Sequence, residues 1–132
     1  MKFNFFIICY LVTLSFAASV GVASPSQPQK QAYFKALPDI PLSPSMIEIE
    51  DESFVFDKAE GRVIESVGFL SVSNSQKTIQ FYQDALARLG WKALNNMAFR
   101  RNNEQIILKI EEVPQGMQVR FRLLPQTMPM SR

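Results

Sequence analysis

Acidic side chains crowd into one short stretch at Glu48, Glu50, Asp51 and Glu52, and hard cations such as calcium take several oxygen ligands from short runs of this kind. A dedicated loop also needs a glycine and alternating aspartates, which the run lacks. It reads as a solvated strand edge, and no metal site is expected. Carboxylate catalysis needs two acids held across a cleft with one pKa raised by burial. Glu65 is the single acid inside an otherwise apolar strand, no second acid is set opposite it, and Glu111 and Glu112 are adjacent and point to opposite faces. The chain has no histidine, and its one cysteine, Cys9, lies in an N-terminal apolar run. Imidazole or thiolate zinc ligation and serine–histidine or cysteine–histidine nucleophiles therefore have no parts. No catalytic residue and no cofactor are expected, and the chain reads as a non-enzyme.

Cations give a different signal. Lys109, Arg120 and Arg122 fall on the outward register of the last two strands, and Arg100 or Arg101 joins them. Such a face is a candidate partner-binding surface for an envelope protein, lipid headgroups or another anionic surface. The plainer reading is a solvated face with cross-strand pairs such as Glu111 with Arg120. A formal net charge of +2 is too small for the concentrated basic footprint of a nucleic-acid binder, so no nucleic acid is expected.

The elements that must position these groups fit one small domain, because 132 residues leave no room for a second core. Met1 to Ala23 has a lysine start, an apolar stretch from Phe5 to Ala18, and a small-residue end at Gly21-Val22-Ala23. Those are the parts of a secretory signal peptide, and the apolar stretch is short of the ~20 residues that span a bilayer. Residues 1–23 are thus expected to be cleaved, making the protein periplasmic or secreted, with membrane contact only through this segment. The alternative is a membrane-associated structural protein held by an uncleaved N-terminus. Cys9 sits inside the apolar run after Ile7-Ile8, unlike an acylated lipoprotein cysteine. The mature chain then has no cysteine, and its core must suffice without disulfides. Residues 24–66 carry four basic and eight acidic groups, and residues 67–132 carry nine and four; two halves of opposite sign suit packing against each other in one fold.

Residues 24–44 read as a flexible, proline-rich extended lead-in. Pro38, Pro41 and Pro44 recur every third residue, the repeat of a polyproline II helix, and Ile40 and Leu42 would lay the strap on the domain. Residues 45–125 form the domain. Ser53 to Asp57 and Arg62 to Val72 make a hairpin around Lys58-Ala59-Glu60-Gly61, with Gly68 marking a bulge or a close contact. Helix Gln76 to Leu89 follows N-cap candidates Ser73-Asn74-Ser75, with Ile79, Phe81, Tyr82, Ala85, Leu86 and Leu89 on its apolar arc and Gly90 as its stop. A strand from Trp91 interrupted at Asn95-Asn96, a strand over Gln105 to Glu111, and a strand over Met117 to Leu123 complete the order β-β-α-β-β-β. Met117, Val119, Phe121 and Leu123 face inward. Short connections force antiparallel neighbours, so the fold is α+β, a two-layer sandwich of about five strands under one helix. Residues 126–132 are a loose tail.

Tyr33-Phe34, Leu37 to Leu42, Val55 to Lys58, Gly61 to Val63, Phe81-Tyr82, Leu89 to Trp91, Phe99 to Arg101 and Val119 to Leu123 together resemble a family of small, uncharacterised exported proteins of alphaproteobacteria. Similar proteins tend to have Pro-Gly where this chain has Pro44-Ser45. The resemblance implies export and carries no activity to transfer, so the expected role is a binding or envelope-assembly module.

Overall fold

The computed structural model describes residues 30–126. The segment read as a signal peptide lies outside the described residues, as does the expected tail beyond Gln126.

Strand β3, Gly61–Leu70, and strand β7, Gly116–Pro125, form the centre of an antiparallel sheet. Strand β6, Glu104–Val113, pairs with β7, then come β5, Ala98–Arg101, and β4, Lys92–Asn95, at one edge. On the opposite side of β3, the short β1, Ile47–Glu48, pairs at Gly68 and Phe69, while β2, Phe54–Lys58, pairs from Gly61 to Glu65. A 3-10 turn, Glu50–Glu52, separates β1 from β2. The expected α+β architecture is present with seven strands instead of about five. Two causes account for the difference. The acidic run contributes β1, and the strand from Trp91 is a hairpin: the Asn95 side chain accepts the Met97 amide at 2.8 Å and turns the chain into β5.

One helix, α1, Ser75–Arg88, covers one face of the sheet. Asn74 caps it by accepting the Lys77 amide at 3.0 Å. At its end Gly90 takes φ +83°, the Gly90 amide donates to Ala87, and the Trp91 amide donates to Leu86 at 3.0 Å. This paired arrangement satisfies the last helical carbonyls and sets Trp91 over Leu86. Tyr82 and Leu86 are fully buried, whereas Leu89 stays partly exposed and Thr78 is buried in its place.

The expected lead-in takes a different form. Phe34, Leu37, Ile40 and Leu42 are buried in the core, so the ordered domain begins well before residue 45. Burying each such side chain is worth about 1.5–3 kcal/mol, enough to fix the backbone of a short loop. Residues 32–42 fold back on themselves: the Leu42 amide donates to Ala32 at 2.8 Å and the Phe34 amide to Ile40 at 3.1 Å. Two of the three prolines serve turns, and Pro41 lies in a bridge opposite Tyr33. Pro38 and Pro44 each hold the second position of a four-residue turn, closed by Ile40 to Leu37 at 2.9 Å and by Met46 to Ser43 at 3.0 Å, where the fixed φ of proline fits. Gly68 marks a close contact without a bulge, since the β3–β7 register is continuous and a side chain there would collide with Met46 and Phe34.

Candidate binding face

The face of the sheet opposite α1 is formed by side chains alternating with the core. On β7, Met117, Val119, Phe121 and Leu123 are buried against the helix and the 32–42 loop, so Gln118, Arg120, Arg122 and Leu124 turn the other way. Register places Lys109 opposite Arg120, Glu65 opposite Arg122, and Val67 opposite Arg120. Lys109, Arg120 and Arg122 therefore share one face, as their spacing implies. Arg100 lies in register with Gln105 on that face. Arg101 does not: its guanidinium stacks 4.5 Å from the Trp91 ring and binds Asp39 at 3.1 Å and the Leu89 carbonyl at 3.1 Å on the helix side.

The three cations are matched by three carboxylates. Arg120 donates to Glu65 at 2.5 Å and to Glu52 at 3.0 Å, Arg122 reaches Glu65 through two nitrogens at 2.9 and 2.8 Å, and Lys109 lies 2.6 Å from Glu111. Glu111 thus takes Lys109 on its own strand in place of the expected cross-strand Arg120. Glu65 is 5% exposed. Burial works to raise its pKa, but the hydrogen bonds from Arg120 and Arg122 outweigh it and hold the carboxyl below its ordinary range. The Lys109 ammonium likewise lowers Glu111. The same ties raise Arg120, chiefly through Glu65. This network fastens the turn Glu50–Glu52 over the sheet, where Val67 is completely buried beneath it and its carbonyl accepts the Ile49 amide at 2.8 Å.

Two further acids of the run also serve the fold. Glu48 accepts the Lys35 amide at 3.0 Å, and Glu50 binds the Lys35 ammonium at 2.6 Å. Among the described residues no three His, Cys, Asp or Glu side chains converge to hold a metal ion.

Apolar residues frame the charged centre, and the charge pattern gives no hint of them. At one end Ile47, Ile49, Phe69 and Val113 line an open depression of about 460 Å³. At the other end β2 exposes Phe54, Val55 and Phe56 at 49%, 55% and 55%. Phe54 and Phe56 register with Glu65 and Val63 on the open face, and Val55 with Ile64 on the helix side. The sequence reads Phe-Val-Phe as part of the first strand of a hairpin; the structure leaves that strand as an edge, because no described element covers either face or pairs its second edge.

On the helix side, a depression of about 350 Å³ between the Pro44 turn and the start of α1 is lined by Ser43, Leu70, Asn74, Lys77, Thr78 and Phe81 among others. Lys77 is the single titratable group there, so no acid–base pair is assembled.

No family model matches the chain, and no curated protein and no solved structure matches it. No helix among the described residues is long and apolar enough to cross a membrane.

Proposed function

We propose that this chain is an exported, non-enzymatic binding or envelope-assembly module whose docking surface is the open sheet face together with the β2 edge. The observation that carries the reading is β2 itself: three consecutive apolar side chains, each about half exposed, on a strand whose second edge is unpaired among the described residues. Such edges attract further strands, and domains that act alone blunt them. Export rests on the three-part N-terminal segment and on the family resemblance. The cations at Lys109, Arg120 and Arg122 set the register of an approaching partner; with each already neutralised, apolar contact at β2 supplies the affinity.

The test pairs two measurements on exported protein. Mass spectrometry of its N-terminus is expected to show a chain starting near Ser24, whereas retention of Phe5 to Ala18 supports the anchored alternative. Crosslinking in the intact envelope is expected to trap a partner that Phe54→Ser/Phe56→Ser loses while its melting temperature holds. Undiminished crosslinking by that variant overturns the docking surface.

A further inference from the structure

We propose that the β2 edge pairs with the same edge of a second copy of this chain, antiparallel and centred on Phe56, so that one sheet continues across a two-fold axis; this rests on β2 being the docking edge.

The two edges of the sheet differ in kind. The β4 edge has four residues, begins with Lys92, and breaks register between Ala93 and Asn95, devices that discourage strand addition. The β2 edge keeps five consecutive pairs with β3, from Phe54 to Lys58, with no irregularity and no proline. Just before β2, the turn Glu50–Glu52 departs from extended geometry, so a partner strand has only these five residues to pair with.

Five residues suffice to fix the register. Side chains directly opposite in a ladder share a face, and Phe54, Phe56 and Lys58 lie on the open face while Val55 and Asp57 lie on the helix side. When two copies meet with their open faces on the same side, an open-face residue must oppose an open-face residue, so the axis falls on a residue and not between two. Only Phe56 as centre leaves all five paired. Phe56 then meets Phe56, each Phe54 meets the second copy's Lys58, and each Val55 meets the second copy's Asp57.

The contacts formed are complementary. The Lys58 ammonium already lies 5.5 Å from the centroid of the Phe56 ring, and pairing adds the Phe54 ring of the other copy to its surroundings. It also brings that ammonium beside the acidic turn, where Asp51 has no ion-pair partner among the described residues. Aromatic side chains each offer roughly 150–250 Å². The four half-exposed phenylalanines across the axis therefore contribute about 300–500 Å², so that the contact belongs with the small, reversible ones below roughly 1,000 Å². A dimer in the micromolar range is expected.

Sedimentation of the full chain between about 1 and 100 μM is expected to show a monomer–dimer equilibrium. Phe56→Glu sets two carboxylates on the axis and is expected to sediment as a monomer with an unchanged melting temperature. Lys58→Glu, on a strand exposed along its whole length, is a second variant expected to weaken the dimer at least several-fold. In a Cys9→Ser background, Phe56→Cys is expected to form a disulfide-linked dimer on mild oxidation, and Leu94→Cys on the other edge is not. A wild-type monomer throughout, crosslinking at Leu94 alone, or a Phe56→Glu dimer as tight as wild type overturns the proposal. A monomeric wild type whose envelope crosslink is still lost in Phe54→Ser/Phe56→Ser removes the second copy and leaves the docking edge standing.

Discussion

The Tyr82 hydroxyl accepts the Ser43 backbone amide at 3.1 Å and lies 3.3 Å from the Met46 sulfur, joining the middle of the helix to the turn that ends the N-terminal loop. Tyr82 is fully buried and packs against Phe121 at 4.7 Å between ring centroids, so this bond sits inside the core. Burial also pushes the phenol well above its ordinary pKa, against a smaller opposing pull from Ser43. Tyr82→Phe keeps the ring and strands the Ser43 amide without its acceptor. A loss of about 1–3 kcal/mol is expected, read as a lower urea midpoint with unchanged slope; wild-type stability would mean that the loop is not held through this bond.

The turn at Pro44-Ser45 makes a second point about that loop. Ser45 takes φ +66° at the third position of the turn closed from Met46 to Ser43. Proline at the second position cannot adopt positive φ, which leaves a type II turn, the type that favours glycine where Ser45 stands. Ser45→Gly relieves a left-handed conformation that costs about 1–2 kcal/mol and adds unfolded-state freedom worth less than that. The expected outcome is a gain of up to about 1 kcal/mol by thermal melting. A decrease would show that the serine side chain contributes more than its backbone costs.

How much was legible follows from range. Elements declared by local chemistry are found close to where the sequence puts them: α1 between its Asn74 cap and Gly90 stop, and β7 with Met117, Val119, Phe121 and Leu123 facing the core. The shared face of Lys109, Arg120 and Arg122 follows from the same alternation. What no local pattern carries is what lies opposite. Glu65 and Glu52 come from segments 55 and 68 residues away from Arg120, and their arrival turns a basic stripe into a neutral network. The exposure of Phe54-Val55-Phe56 is hidden for the same reason: propensity specifies the strand, while exposure depends on which elements cover it. The prolines mislead because even spacing does not mean a shared role: Pro38 and Pro44 serve turns, while Pro41 lies in a bridge opposite Tyr33.

The pairing of Glu65 has a pH consequence. Its carboxyl is held below the ordinary glutamate range in the folded chain, so the folded state binds its proton less readily than the unfolded state. The stability it contributes is full above the unfolded value of about 4.3 and is lost as pH falls through the lower folded value. Wild type is expected to lose stability steeply below about pH 4. Glu65→Gln is expected to be less stable by about 1–3 kcal/mol at neutral pH, with a flatter decline over the same acid window. Equal slopes in the two proteins would remove Glu65 from the linkage.

Testing the cations as binding groups requires separating partner from fold, because the two arginines do both. Arg120 and Arg122 are 25% and 45% exposed at the side chain, which alone would make them ordinary surface positions. Their partner Glu65 is nearly buried, so reversing both to glutamate surrounds one buried carboxylate with two more. Arg120→Glu/Arg122→Glu is therefore expected to lower the melting temperature substantially, since removing the partners of a buried charge is among the costlier surface changes. Lys109 is 65% exposed and pairs only with the exposed Glu111, so Lys109→Glu is expected to shift stability by less than about 0.5 kcal/mol. If an anionic surface is read by this face, Lys109→Glu weakens binding to acidic vesicles and added salt weakens the wild type in parallel. Vesicle binding that ignores both Lys109→Glu and salt assigns the cations to the fold and leaves β2 as the binding element.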